Sequence, residues 1–189
     1  MTEARIVLVG GGVRSGKSAF ALALARKLGS RKVFVATAQG LDSEMRERIE
    51  RHREERAAEF ETFEEPAAVP ELLQRTHADV VVVDCLTLWI SNMLLRDASD
   101  ADIAARVSEL VAVLGARRFH AVLVSNEVGM GVVPEHALGR RFRDCVGRAH
   151  QVLAARCDEL YFGALGGMLR LKPAPIILQT SEDLHVTDR

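Results

Sequence analysis

The residues with the plainest chemistry are 11–18, GGVRSGKS. The spacing G-x-x-x-x-G-K-S puts Gly11, Gly16, Lys17 and Ser18 at the fixed places of a phosphate-binding loop. Glycines there let successive backbone N–H groups turn inward on a phosphate. The N-terminus of a following helix adds its partial positive charge. Lys17 would reach the β- and γ-phosphates, and the Ser18 hydroxyl would ligate Mg2+. The loop sits between an apolar run, RIVLVG (5–10), and an amphipathic segment, SAFALALARKL (18–28), which is the context this chemistry needs.

Two further stretches place polar groups just after apolar runs. DVVVVD (79–84) ends on Asp84. An acid at that place in phosphate-loop proteins holds Mg2+, usually through water; the same residue would also cap a helix starting at Leu86. SNEVGMGVVPEH (125–136) begins in the polar end of HAVLVSNE, which reads as a strand over 120–127. It lies where α/β proteins put their ligands. Asn126 and Glu127 are candidates for substrate contact or catalysis, and Gly129 and Gly131 for a turn or a close backbone approach. A plain capped loop is the alternative.

The fourth stretch is RIERHREERAAEF (48–60), almost wholly charged around His52. On a helix, Met45, Ile49 and His52 share a face, so His52 borders the packed side. Arg48 and Arg56, four residues to either side, should lower the imidazole pKa and keep it neutral near pH 7. Arginines also suit polyphosphate. A neutral histidine attacking phosphorus gives a phosphoramidate, which is covalent catalysis. Spacing alone leaves a solvated helix face as the plainer reading. The remaining histidines, His77, His120, His136, His150 and His185, read as structural or solvated.

These groups need a frame, and the chain supplies one. Further apolar runs at KVFVAT (32–37) and ELYFGAL (159–165) read as buried strands, and FETF (60–63) as a short edge strand. Helical periodicity marks a segment from about Ser43 to Ala57, one starting after Pro66, and the stretches LTLWISNMLL and ADIAARVSELVAVLGAR. A last one runs over 135–156, with Leu138, Phe142, Val146, Ala149 and Leu153 on one face. Repeated βα units imply an α/β fold with a mainly parallel sheet and helices on both faces. Residues 1–172 read as one nucleotide-binding domain. Residues 173–189 read as a tail, with PIILQ as a candidate edge strand and disorder after it.

Composition narrows the partners. A net charge of −1 gives no global basic field for nucleic acid or an anionic membrane, so any bound anion must be held locally. Cys85, Cys145 and Cys157 are odd in number and widely spaced, which fits buried thiols in a reducing compartment. The N-terminal apolar run is short and broken by glycines, so it reads as neither a signal peptide nor a membrane span. The expected location is the cytoplasm.

Taken together, GGVRSGKS, VATAQGLDSEMRERIERHREER, VVVVDCLTLWISNML and VSNEVGMGVVPEHALGRRFRDCVGRAHQ resemble one family. It is the bifunctional adenosylcobinamide kinase / adenosylcobinamide-phosphate guanylyltransferase of cobalamin synthesis. The pieces stand in the family's order over most of residues 5–170. The resemblance implies a RecA-like P-loop fold with one antiparallel strand, and ATP, GTP and Mg2+ as reactants and cofactor. It implies adenosylcobinamide and its phosphate as acceptors, and a homotrimer as a candidate assembly. It makes His52 the nucleophile that takes GMP from GTP. It assigns nucleotide contacts to Gly11, Gly12, Val13, Arg14, Ser15, Gly16, Lys17 and Ser18, to Ala36, Thr37 and Ala38, to Arg53, Glu54, Glu55 and Arg56, to Glu64 and to Asp84. Two other readings stand beside it: a small-molecule kinase in which His52 only watches, and a GTP-binding regulator without useful turnover.

Overall fold

The computed structural model describes residues 3–40 and 59–173. The proposed helix from Ser43 to Ala57, His52 with Arg53, Glu54, Glu55 and Arg56, and the PIILQ segment lie outside the described residues.

Seven strands form one sheet in the order β3-β2-β4-β5-β1-β6-β7. They are β1 (Ile6–Gly11), β2 (Lys32–Ala36), β3 (Glu61–Glu64), β4 (Val80–Asp84), β5 (His120–Val124), β6 (Glu159–Ala164) and β7 (Gly167–Lys172). The first six run parallel; β7 is antiparallel to β6. Among the described residues five helices connect them: α1 (Lys17–Leu28), α2 (Val69–Arg75), α3 (Leu86–Leu94), α4 (Asp100–Gly115) and α5 (Ala137–Arg156).

The continuous valine runs are explained by burial on both faces. Val7, Val9, Val80, Val82, Val122 and Val124 pack with Ala21, Leu22 and Ala25 of α1. The alternate residues Leu8, Val81, Val83, Ala121 and Leu123 pack on the other face with side chains of α2, α3, α4 and α5. A parallel sheet covered on both sides needs apolar residues at every position. Helix α3 is enclosed almost all round, with Trp89 fully buried and its indole N–H donating to Ala67 O at 2.8 Å. Helix α4 starts at a capping box, Ser99 with Asp102, where the sequence places a polar pair before an apolar stripe.

Some expectations shift. The strand read over 120–127 stops at Val124, which frees Ser125, Asn126 and Glu127 for a loop. Leu138 lies in the exposed first turn of α5, half exposed, and the buried stripe is Cys145, Val146, Ala149 and Leu153. The antiparallel strand is GMLRLK, reached from β6 through Leu165 and Gly166, both at positive φ. Two residues in that conformation form the tight turn whose twist matches a hairpin. Among the described residues no helix is long and apolar enough to cross a membrane.

Candidate functional site

The ends of five parallel strands meet at one edge of the sheet. Register pairs Ala36 with Glu64 and with Asp84, Asp84 with Val124, and Val124 with Val9, two residues before Gly11. The segments leaving these ends carry most of the candidate residues.

The phosphate-loop sequence turns sharply after β1. Gly11 has φ +139°, and a Cβ there would stand 2.3 Å from Gly163 O on β6. Glycine at 11 is therefore a demand of the β1–β6 approach as well as of the loop. Arg14 and Gly16 also have positive φ, +55° and +87°. Helix α1 then begins with no side-chain cap and no acid in its first turn. The partial positive charge of its N-terminus suits an anion. Lys17 is buried, and its Nζ donates to Gly12 O at 2.5 Å and to Ser15 Oγ at 3.3 Å. Val13 and Arg14 are exposed at the lip.

Ser18 Oγ donates to Asp84 Oδ2 at 2.6 Å. The fold thus brings together two residues 66 apart in sequence, a hydroxyl and a carboxylate, beside the helix N-terminus. The N-cap residue of α3 is Cys85, one position after Asp84, and its own side chain makes no capping bond.

Behind Asp84 a buried polar network fixes the strand ends. Thr37 is fully buried; its Oγ1 accepts from Cys85 N at 2.8 Å and donates to Cys85 O at 2.7 Å. Asn92 Nδ2 donates to Thr37 O at 2.8 Å and Pro66 O at 3.0 Å. The Thr37 hydroxyl is therefore committed to holding β2 against β4. Cys85 Sγ lies 2.9 Å from Thr87 Oγ1, and burial, then the charge of Asp84, pushes its thiol up to about 11. It is a protonated core group. Ala38 is half-buried and Glu64 exposed at the sheet edge. It is the next acid, Glu65, that orders this turn, its Oε1 accepting from Ala67 N at 2.9 Å and Ala68 N at 2.7 Å.

The loop after β5 is fastened on three sides. Asn126 Nδ2 donates to Thr87 Oγ1 at 3.0 Å. Glu127 N donates to Gly11 O at 2.9 Å, which ties this loop to the phosphate loop. Glu127 Oε1 accepts from Gly129 N at 2.5 Å, and Oε2 lies 3.8 Å from His150 Nδ1. His150 Nε2 is 2.7 Å from Ser125 Oγ, itself fully buried. Burial pushes the His150 pKa down, only partly opposed by Glu127, so the ring is neutral at pH 7. His150 lies on a helix, as the sequence suggests, and its ring reaches the loop after β5; no spacing rule links it to Ser125, 25 residues away. Gly129 and Gly131 do not take positive φ. A Cβ at Gly129 would meet Glu127 Oε1 at 2.9 Å, the movable end of a side chain. Nothing lies within 4 Å of a Cβ at Gly131, so packing does not explain that glycine.

A separate concavity lined by Glu3, Ala4, Arg5, Arg117 and Asp158 lies at the other end of β1. Arg117 and Asp158 are paired there, which closes the backbone entry to β1.

With this geometry in view, comparison with known proteins is specific. The sequence profile of the family described as cobinamide kinase / cobinamide phosphate guanyltransferase matches residues 7–171. The bifunctional adenosylcobalamin biosynthesis protein CobP of Pseudomonas aeruginosa is 42% identical over 172 residues, covering 89% of this chain and 98% of that one. The bifunctional adenosylcobalamin biosynthesis protein CobU of Escherichia coli is 39% identical over 184 residues, covering 88% and 99%. Among solved structures, the RadB recombinase aligns at a TM-score of 0.50 and 20% identity, over 85% of this chain and 74% of that one. A Pyrococcus horikoshii protein aligns at 0.54 and 11% identity, over 94% and 96%. These last two likenesses speak for the RecA-like P-loop fold alone.

Proposed function

The chain belongs to the cobinamide kinase / cobinamide phosphate guanyltransferase family, and from that premise we propose that it carries both activities. In the first, ATP or GTP phosphorylates a hydroxyl of adenosylcobinamide. In the second, a His52 ring nitrogen attacks the α-phosphorus of GTP. An N–P bond forms, the bond to the β-phosphate oxygen breaks, and pyrophosphate leaves. An oxygen of adenosylcobinamide phosphate then attacks the same phosphorus, releasing His52 and giving adenosylcobinamide-GDP.

The observation that carries this reading is the Ser18–Asp84 pair, 2.6 Å apart at the N-terminus of α1, inside a family match that runs through His52. One hydroxyl and one carboxylate suit Mg2+, which takes few protein ligands and completes its shell with water and substrate phosphates. Mg2+ held there would neutralise charge on the phosphates. Lys17, backbone N–H groups of the loop other than Gly12 N, which donates to Gly163 O, and the α1 N-terminus would orient the phosphate chain. Ala36, Thr37, Ala38 and Glu64 would border the nucleotide at the sheet edge; Arg53, Glu54, Glu55 and Arg56 would do so beside His52. Residues 1–172 would form the catalytic unit. Exposed Met130, Val132 and Val133 on the loop after β5 support a subunit contact, and a homotrimer is the assembly we expect. Three buried thiols support a cytoplasmic location, and the near-zero net charge speaks against nucleic acid as a partner.

The test is to incubate the protein with Mg2+ and GTP labelled at the α-phosphate, denature it, and measure label on the chain. Acid-labile, base-stable label is expected from α-labelled GTP, none from γ-labelled GTP, and none on His52→Ala. A folded, GTP-binding wild type that takes no label would contradict the guanylyltransferase reading.

A further inference from the structure

Asp84 ends β4 and Glu127 follows the neighbouring β5, and the geometry separates their tasks. We propose that Glu127 takes the proton from the acceptor hydroxyl in the kinase step, with His150 and Gly129 positioning its carboxylate. The proposal rests on the kinase reading above and deepens it.

Strand β5 lies between β4 and β1. Its C-terminal end therefore opens between Asp84 and the start of the phosphate loop. Asp84 Oδ2 is already engaged by Ser18 Oγ at 2.6 Å, in the place where a metal would sit. A carboxylate whose lone pairs face a cation is a weak base. Among the described residues, Glu127 is the acid on the loop that leaves β5. Its backbone is tied to Gly11 O, Oε1 is fixed by Gly129 N, and its side chain remains about a quarter exposed. It is held, yet a substrate can reach it.

The ring of His150 explains how Oε2 is oriented. If Ser125 O–H donates to Nε2 at 2.7 Å, Nδ1 carries the hydrogen and turns it towards Glu127 Oε2, 3.8 Å away. The other tautomer would aim a lone pair at the carboxylate. At 3.8 Å the contact is a charge–dipole attraction rather than a direct hydrogen bond. In the reaction, the acceptor oxygen bonds to the γ-phosphorus and the bond to the β-phosphate oxygen breaks. The nucleoside diphosphate leaves with those electrons, the hydroxyl proton passes to Glu127, and water takes it once the product departs. Positioning and charge neutralisation do most of the work in such transfers, so a proton acceptor should matter at the lower end of its usual range.

The experiment measures steady-state phosphorylation of adenosylcobinamide by wild type, E127Q, G129A, H150L and H150N, with nucleotide affinity and circular dichroism for each. E127Q should lose about 10²-fold in kcat, with nucleotide KM unchanged and His52 still labelled by α-labelled GTP. G129A introduces no backbone strain, but its Cβ would lie 2.9 Å from Oε1 and push the carboxylate aside. It should lose about 10-fold in kcat, and it carries the test should E127Q fail to fold. H150L should lose a similar factor, and H150N, whose amide can donate where Nδ1 stood, should recover most of it. Wild-type kcat in folded E127Q or G129A overturns the assignment of Glu127. H150N no better than H150L overturns the positioning role. A wild type that labels on His52 but makes no cobinamide phosphate overturns the kinase reading and this one together.

Discussion

Replacing Gly11 by alanine should damage both stability and the site, by an amount the structure allows one to work out. The added Cβ would stand 2.3 Å from Gly163 O and 2.7 Å from Gly163 N. Both are backbone atoms of the paired strand β6, and neither can rotate away. An ordinary contact is about 3.4 Å, so the strands must part by roughly an ångström. The φ of +139° adds strain that glycine avoids, on the order of 1–3 kcal/mol. The hydrogen bond from Gly12 N to Gly163 O, at 3.3 Å, would be lost for about 1 kcal/mol more. Together these give a loss of about 3 kcal/mol, a large share of the roughly 5–15 kcal/mol of a typical domain. Urea unfolding should show a midpoint lower by about 1 M or more, and nucleotide affinity should fall as the loop's first residue moves. Gly12→Ala is the matched control. Nothing lies within 4 Å of its added Cβ and its φ is unstrained, so its unfolding midpoint should stay close to wild type. Equal stability for Gly11→Ala and Gly12→Ala would refute the reasoning.

Three further outcomes follow from particular groups. His150, facing Glu127, and His120, facing Arg5 and Asp79, have pKa values held below the ordinary 6.5 chiefly by burial. Their unfolded forms bind protons first, so stability should be full above about pH 6.5 and fall as pH drops below it, before the carboxylates titrate. Urea midpoints between about pH 7 and 5 should show this, with a shallower fall in His150→Leu. Cys85, Cys145 and Cys157 are buried with thiol pKa values pushed up by burial. A thiol reagent near pH 8 should react with none of them until the protein unfolds. Asn92→Leu would strand the carbonyls of Thr37 and Pro66, costing about 2–4 kcal/mol, and the fluorescence of Trp89 should follow the transition.

The phosphate loop was legible because its chemistry is local: eight consecutive residues set the turn, the helix start and the lysine. Asp84 was legible as a polar strand end because it closes an apolar run; its pairing with Ser18, 66 residues away, was not. His150 was not, because its contact with Ser125 depends on how α5 lies across the sheet. Leu138 misled for a related reason. Its spacing continues the α5 stripe, but the first turn of that helix projects beyond the sheet. The boundary of β5 was drawn three residues too long because the polar Ser125, Asn126 and Glu127 were kept in the strand, while pairing with β1 and β4 stops at Val124. For GMLRLK, the only local signal is the LGG turn, Leu165 to Gly167, a short hairpin cue that identifies the antiparallel strand once the positive φ values are seen.

The central claim is that one nucleotide site serves two successive transfers and that His52 is needed only for the second. The most direct measurement is the identity of the product. Adenosylcobinamide, ATP, GTP and Mg2+ are given to wild type, His52→Ala and Lys17→Ala, and the corrinoids are resolved by mass. The expected products are adenosylcobinamide-GDP from wild type, accumulated adenosylcobinamide phosphate from His52→Ala, and unchanged substrate from Lys17→Ala. Adenosylcobinamide-GDP formed by His52→Ala at the wild-type rate would contradict the central claim.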